Sequence, residues 1–416
     1  MNILISLNHQ LRIDDQPALQ EALALAKRHP DSRLMFLYSE LASTSPQTPD
    51  FFSPLHPRSR IRGPHQTRIV LQALQELKSK LAAVGIPLFC FWNHSEEEAL
   101  DLIRKHLPVD AYFSFEASRL FSNWPIPEAQ FPRTFTDFRK GLSLAPDEPI
   151  PEPVLDSLKP SPITAPDEWF KIKSLSDFGF HFSADPRSSF PFQGDEMSAR
   201  SRIDSYFFNS EGLKNYKTTR NGMIGTEYSS KLSPFLAIGS LSVRRAWSEV
   251  LRYESIQGAN PGSEWMKFEL LWREFFLWSE QKFQDRFYAL QGIQNRTYSY
   301  QESQERFISW TRTETGQPLV DANIRELNAT GFISNRGRQN VASYFVHELK
   351  LPWHWGARYF EWMLIDSSMT QNYGNWAYLA GVGSDPRSFG SAPRYFNLEK
   401  QSQDYDPEGT YQKLWL

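Results

Sequence analysis

The stretch TGQPLVDANIRELNATGFISNRGRQNVASYF (315–345), followed after a short aromatic segment by LIDSSMTQNYGNWAYLAGVG (364–383), decides how this chain is read. Polar side chains with fixed hydrogen-bonding directions (Asp321, Asn323, Asn335, Arg338, Asp366 and Asn372) alternate there with apolar residues at helical spacing. Trp353, Trp355, Tyr359, Phe360, Trp362, Trp376 and Tyr378 fill the gaps. Neither metal-ligand spacing nor a nucleophile–base pairing runs through them. Buried polar groups must find hydrogen-bond partners, because leaving them unpaired is costly. A flat, heteroatom-rich organic cofactor suits such a lining. The chemistry then belongs to the cofactor rather than to the side chains.

Outward from this stretch, helical periodicity runs from about residue 168 to the last residue. Gly239–Tyr253, Ser263–Lys282 and Asn335–Lys350 are its longest amphipathic segments. The first third reads differently. Strands at Ile3–Leu7, Leu34–Tyr38, Leu88–Trp92 and Ala111–Phe115 alternate with helices at Pro17–Arg28, Gln66–Val84 and Glu96–Leu107. Ser95 caps the last of these, and three glutamates in its first turn complement the helix dipole. That alternation predicts a parallel, doubly wound, Rossmann-like sheet. No G-x-G-x-x-G follows any strand, which sets aside a dinucleotide site there. Ser43–Gly63 is a Pro- and Ser-containing loop, and seven prolines between Pro146 and Pro166 mark an extended linker. The expected organisation is an α/β domain (1–145), a Pro-rich linker (146–167) and an all-α domain (168–416).

At 416 residues and a net charge of −3, the chain has room for two domains and is not globally basic. A local basic groove stays compatible with that balance. Cys90 is the only cysteine, so no disulfide framework and no cysteine-held zinc or iron–sulfur cluster is expected. MNILISLNHQLRIDD lacks the cationic start of a signal peptide, and no run reaches the roughly 18 apolar residues of a membrane helix. A soluble, cytoplasmic, monomeric protein is the expectation.

Several motifs, in order, resemble those of the photolyase/cryptochrome flavoproteins. They are NYKTTRNG (215–222), YSSKLSPFLAIGSLS (228–242), WREFF (272–276), the 315–345 stretch and NYGNWAYLAGVGSDPR (372–387). SNRGRQN, NYGNW and KQSQDYDPEG look most like the cryptochrome-DASH branch, and QLRIDDQPAL (10–19) resembles a degraded form of the family's opening signature. The resemblance implies an α/β domain, a long linker and a helical domain holding FAD in a U-shape.

By the same resemblance, Tyr216 and Ser229, Ser230, Lys231, Leu232 and Ser233 hold the flavin pyrophosphate and ribityl chain. Taken alone, Ser-Ser-Lys-Leu-Ser-Pro is also an ordinary way to begin a helix. Asn335, Arg338, Asp366 and Asn372 surround the isoalloxazine ring, with Arg338 and Asp366 ion-paired and Asn372 facing N5. Arg273 is a further cofactor or phosphate contact. Trp376 and Trp353 match the first two carriers of the chain that reduces photoexcited flavin, and Tyr300 stands where the third tryptophan is usual. Trp355 or Trp362 is a detour around it.

Glu269 and Trp272 match the residues that meet damaged pyrimidines, with Tyr378 as the second aromatic wedge and Gln339 beside it. Arg220, Arg336 and Arg394 are candidate phosphate contacts. The implied activity is blue-light-driven repair of cyclobutane pyrimidine dimers in single-stranded or looped DNA. A signalling photoreceptor is the alternative, weakened by the absence of a tail beyond Leu416. The lone cysteine argues against an iron–sulfur photolyase, and the matched motifs lack the histidines of a (6-4) photolyase.

Two departures stand out. Ser368 replaces the usual second aspartate of L-I-D-x-D. The segment after Glu116 is short, with ASRLFSNWPIPEAQFP (117–132) in place of a helix and a strand. A folate antenna (methenyltetrahydrofolate) would sit beside that region, near Glu116, and the shortening argues against it.

Overall fold

The structure, a computed structural model, describes residues 1–41, 49–52, 61–115, 118–153, 155, 163–181, 183–389 and 394–416. Glu116, most of the Ser43–Gly63 loop and much of the proline-rich linker lie outside the described residues.

Four parallel strands, β1 (Asn2–Ser6), β2 (Arg33–Glu40), β3 (Leu88–Trp92) and β4 (Ala111–Ser114), form one sheet in the order β3-β2-β1-β4. Leu4 of β1 registers with Met35 on one side and Tyr112 on the other. Ile3, Leu4 and Ile5 are all fully buried, because helices cover both faces of a parallel sheet and leave no polar side. The crossovers are α1 (Pro17–Arg28), α2 (Pro64–Ala83) and α3 (Glu96–His106), the last opened by a complete Ser95/Glu98 capping box. In this domain strand and helix ends differ from the sequence reading by two residues at most; in the helical domain α13 ends at His347, three residues before the expected Lys350.

After β4 comes a short helix, α4 (Phe135–Gly141), and then helices only among the described residues. These are α5 (Glu196–Ile203), α6 (Gly212–Thr219), α7 (Ser233–Ile238), α8 (Val243–Gln257), α9 (Pro261–Phe283), α10 (Asp285–Tyr288), α11 (Gln304–Thr311), α12 (Pro318–Thr330), α13 (Asn335–His347), α14 (Trp353–Met363), α15 (Met369–Leu379), α16 (Leu398–Tyr405) and α17 (Thr410–Trp415). The α8 helix begins four residues later than its apolar pattern suggests. Gly239 sits in the left-handed region (φ 74°), and Ser242 accepts from the amides of Arg244 and Arg245 as the N-cap. A Cβ on Gly239 would lie 2.3 Å from the His9 carbonyl oxygen, so glycine is required twice over.

QLRIDDQPAL bolts the sheet to the helices. Asp14 receives two bonds from Arg245 (2.8 and 2.7 Å), and Asp15 two from Arg244 (3.0 and 2.7 Å). Arg12, fully buried, donates to the Gly239 carbonyl at 2.9 Å. Gln66 of α2 reaches the Ser367 carbonyl at 2.6 Å, which anchors the loop before α15. Among the described residues no helix is long and apolar enough to cross a membrane, and no cluster of candidate metal ligands occurs.

Candidate functional site

Three separated segments meet around Asp366. Arg338 of α13 donates Nη1 and Nη2 to its two oxygens at 3.0 and 2.9 Å, and the Ser233 hydroxyl donates at 2.6 Å. The carboxylate side chain is 3% exposed and the guanidinium 25%. Arg338 therefore keeps an open edge, while its Nε is held by the Ile333 carbonyl at 3.1 Å. One turn into α15, Asn372 donates Nδ2 to the Ala357 carbonyl at 2.7 Å. A carbonyl only accepts, so this contact fixes the amide's orientation and leaves Oδ1 as an acceptor.

The loop before α7 is shaped by Arg202, a buried residue that sequence reasoning missed. Its guanidinium donates to the carbonyls of Thr226 (3.1 Å), Ser229 (3.0 Å) and Ser230 (3.0 Å), and to Glu227 (2.8 Å). The arginine is separated in sequence from the loop it organises, and no local pattern announces it. Lys231 then adopts φ 61°, unusual for a residue with a Cβ. Its side chain is buried, 3.0 Å from the centroid of Tyr228 and 4.9 Å from that of Phe332, and Nζ has no hydrogen-bond partner. Burial pushes this ammonium well below its ordinary range, with Glu326 the main opposing charge. Glu326, itself buried, accepts from Tyr411 (2.5 Å) and Ser189 (3.2 Å), and burial pushes its carboxyl up to about 7.

An unpartnered buried ammonium, a half-open guanidinium and a free amide oxygen suit an anionic, nitrogen-rich planar group. The residues present fit FAD in their chemistry. Asn335 opens α13 with an exposed side chain, and Ser368 is the N-cap of α15 without a capping side-chain bond. Two of the polar residues that suggested a cofactor lining have protein partners instead. Asp321 accepts from Thr315 and Gly316, and Asn323 bonds the Leu319 carbonyl and Tyr411.

A second face is built on α9. Glu269 pairs with Arg220 at 2.8 Å and accepts from the Trp265 indole at 3.0 Å. Burial raises its carboxyl, while Arg220 and the Trp265 bond pull it down. Tyr216, expected at the cofactor, is buried in the field of this Glu269–Arg220 pair, which its titration feels after burial. Trp272 meets Tyr378 edge to face at 5.8 Å, and Arg394 donates to the Tyr378 hydroxyl at 2.9 Å. Arg336 donates to Asn221 at 3.3 Å and lies over Tyr405. Burial lowers Arg336, and its neighbours Arg220 and Arg394 lower it further, so the three candidate phosphate contacts share one positive neighbourhood. Gln339, three residues after Arg336, is half-buried with Oε1 unpartnered.

Arg273 departs from expectation. It donates to the Ser118 carbonyl at 2.9 Å and is not among the groups that bind Asp366. Sequence reasoning also missed Phe135, whose ring stacks on Trp272 at 3.9 Å with planes 12° apart.

Among the aromatic carriers, Trp376 is buried against Trp310 (6.5 Å), Phe345 (5.5 Å) and Phe360 (5.1 Å). Trp353 donates its indole N–H to the Leu290 carbonyl and contacts His354 and Tyr373. Tyr300 packs on Tyr298 with its hydroxyl unpartnered.

Residues 265–416 match the family model described as the FAD binding domain of DNA photolyase, which defines the class as a photolyase-type flavoprotein. Over its whole length the chain is 36% identical to cryptochrome DASH of Synechocystis sp., covering 87% of that protein. It is likewise 36% identical over its whole length to cryptochrome DASH of Gloeobacter violaceus, covering 85% of it. The crystal structure of a Synechocystis sp. cryptochrome superimposes with a TM-score of 0.79 at 35% identity, covering all of this chain and 88% of that one. A class III photolyase from Agrobacterium tumefaciens shares the fold (TM-score 0.77, 24% identity, all of this chain and 86% of that one). The chain belongs to the photolyase/cryptochrome family, and it is most like the cryptochrome-DASH branch.

Proposed function

We propose that this protein repairs cyclobutane pyrimidine dimers under blue light, with FAD as its cofactor and single-stranded or looped DNA as its preferred substrate. The observation that carries the reading is the α9 face. Trp272 stands perpendicular to Tyr378 and one helical turn from Glu269; Glu269 pairs with Arg220, Arg394 donates to Tyr378, and both arginines neighbour Arg336. FAD, when bound and reduced, supplies on illumination the electron that opens the cyclobutane ring and recovers it afterwards.

The chain's own residues bind and orient. Arg338, Lys231 and Ser233 would hold the cofactor's polar and anionic groups, and Asn372 Oδ1 would accept a hydrogen bond from a proton-bearing ring nitrogen. Trp272 stacks on one extrahelical base, Tyr378 closes the corner and Glu269 reads base edges. No side chain is required as general acid or base. Base stacking contributes roughly 1–3 kcal/mol per base, while flipping a lesion out of a duplex costs a few kcal/mol. A tyrosine wedge is the weaker of the aromatic choices, so an already unpaired lesion is favoured.

Blue-light illumination of the reduced, FAD-loaded protein with a dimer-bearing single-stranded oligonucleotide tests this directly. Restoration of intact pyrimidines supports it. No loss of dimers sinks the repair reading, and a light-dependent change in partner binding without turnover would place the protein among photoreceptors.

A further inference from the structure

The short segment after β4 does more than close a gap. Residues 118–139 run as a strap along α9. Ser118 accepts from Arg273, and the amides of Leu120 and Phe121 donate to the buried Glu274 carboxylate at 2.9 and 3.4 Å. Trp124 packs on Trp278 at 4.6 Å, and Phe131 stacks on Phe275 at 6.0 Å. The strap ends with Phe135 flat on Trp272, while Arg139 lies over Phe268.

Helix geometry says which flank of Trp272 is covered. Phe268 and Phe275, four residues before and three after, lie on one side of it, and both touch Phe135. Glu269 and Phe276 lie on the other side, where Trp272 also packs at 5.5 Å on Phe276. Phe135 therefore backs the indole on the flank away from Glu269. Thr134 caps α4 through the Asp137 amide, and Phe138 is buried against Phe275 without a ring contact to Trp272 among the described residues.

We infer that Phe135 is a positioning residue for substrate: it backs Trp272 in a fixed plane, so that an extrahelical pyrimidine completes a three-layer stack. The inference rests on the repair reading above. An indole left unbacked samples other χ1 and χ2 settings, and each turn away from the stacking plane weakens stacking without removing the ring. The strap thus links the shortened N-terminal segment to lesion recognition.

The test compares Phe135→Leu, which keeps apolar bulk but loses the flat ring, with Phe138→Leu, an equally buried neighbour that does not touch Trp272. Binding of dimer-bearing and undamaged single-stranded oligonucleotides to the FAD-loaded protein is read by fluorescence anisotropy. F135L is expected to weaken dimer binding about fivefold to tenfold, as part of one stacking interaction. Undamaged-strand affinity and flavin content should hold, F138L should bind like wild type, and F135L should have no effect in a Trp272→Ala background. Unchanged or tighter dimer binding by F135L overturns the inference, as does equal loss in F138L or loss that persists without Trp272. Wild-type protein that binds both oligonucleotides equally overturns the repair reading itself, and this inference with it.

Discussion

The Arg338 guanidinium grips the Asp366 carboxylate through two parallel bonds of 3.0 and 2.9 Å, and the Ser233 hydroxyl supplies a third at 2.6 Å. Asp366, in the turn before α15, thereby ties the first residue of α7 to α13. Asp366→Ala leaves a partly buried guanidinium without its partner and frees the start of α7. The expected outcome is a loss of about 1–3 kcal/mol in unfolding free energy, tempered by the exposed edge of Arg338. FAD should be retained at least several-fold more weakly, as read by flavin fluorescence on dilution. Wild-type flavin retention in this variant would remove Asp366 from the cofactor site.

Asn372 presents an oxygen because its amino group is committed to the Ala357 carbonyl. An acceptor favours the cofactor form that carries a proton on the facing nitrogen, which is the reduced one. Asn372→Ala should shift the two-electron potential of bound FAD about 10–30 mV more negative, the equivalent of one ordinary hydrogen bond. Spectroelectrochemical titration measures it. An unchanged or more positive potential would show that Oδ1 does not face the reduced ring.

Much of this architecture was legible in the sequence. Strand–helix alternation, prolines at helix starts and the Ser95 capping box are local signals, and the elements they predict form within two residues of where they were read. The Arg338–Asp366 pair was legible through motif resemblance. What could not be read depends on contacts far apart in the chain. Arg202 organises carbonyls of Thr226, Ser229 and Ser230, and Phe135 reaches Trp272 across well over a hundred residues. Asp321 and Asn323 misled for the converse reason. Part of their polarity is satisfied within a turn, by the 315–316 backbone and the Leu319 carbonyl, although Asn323 also accepts from the distant Tyr411.

The ring contacts around Trp376 favour a branch that the motif match does not include. Trp310 lies 6.5 Å from Trp376, and Tyr359 lies 5.3 Å from Trp310 with its hydroxyl donating to Asn328. Among the described residues Trp353 makes no ring contact with Trp376. Trp376→Phe should abolish most photoreduction of bound FAD. Trp310→Phe should slow it more than Tyr300→Phe does, by about tenfold if the branch carries most of the holes, a barrier change near 1.4 kcal/mol. Time-resolved absorption of the oxidised holoprotein with an external reductant ranks the variants. A larger effect from Tyr300→Phe would restore the motif-matched route.

Lys231 makes the cofactor-free protein sensitive to alkaline pH in a direction fixed by its burial. The ammonium titrates well below its ordinary 10.5 in the folded chain, with burial the leading cause, while Glu326 and Glu227 oppose that shift and Arg202 and Arg338 add to it. The unfolded chain therefore binds a proton that the folded chain has released, and stability rises with pH until the unfolded lysine also titrates near 10.5. Glu326 acts in the opposite sense, since a carboxyl raised from 4.5 to about 7 loses its stabilisation as pH rises across that interval. The lysine signature is accordingly read on the alkaline side of neutrality. Urea unfolding of the cofactor-free protein should show a midpoint that increases from neutral to mildly alkaline pH, and Lys231→Met should flatten that increase. The same variant should retain FAD more weakly, because the buried amine that would take up a proton against the cofactor's phosphates is gone. A wild-type midpoint that falls over this interval, or a methionine variant with the wild-type slope, would show that Lys231 keeps its proton in the folded chain.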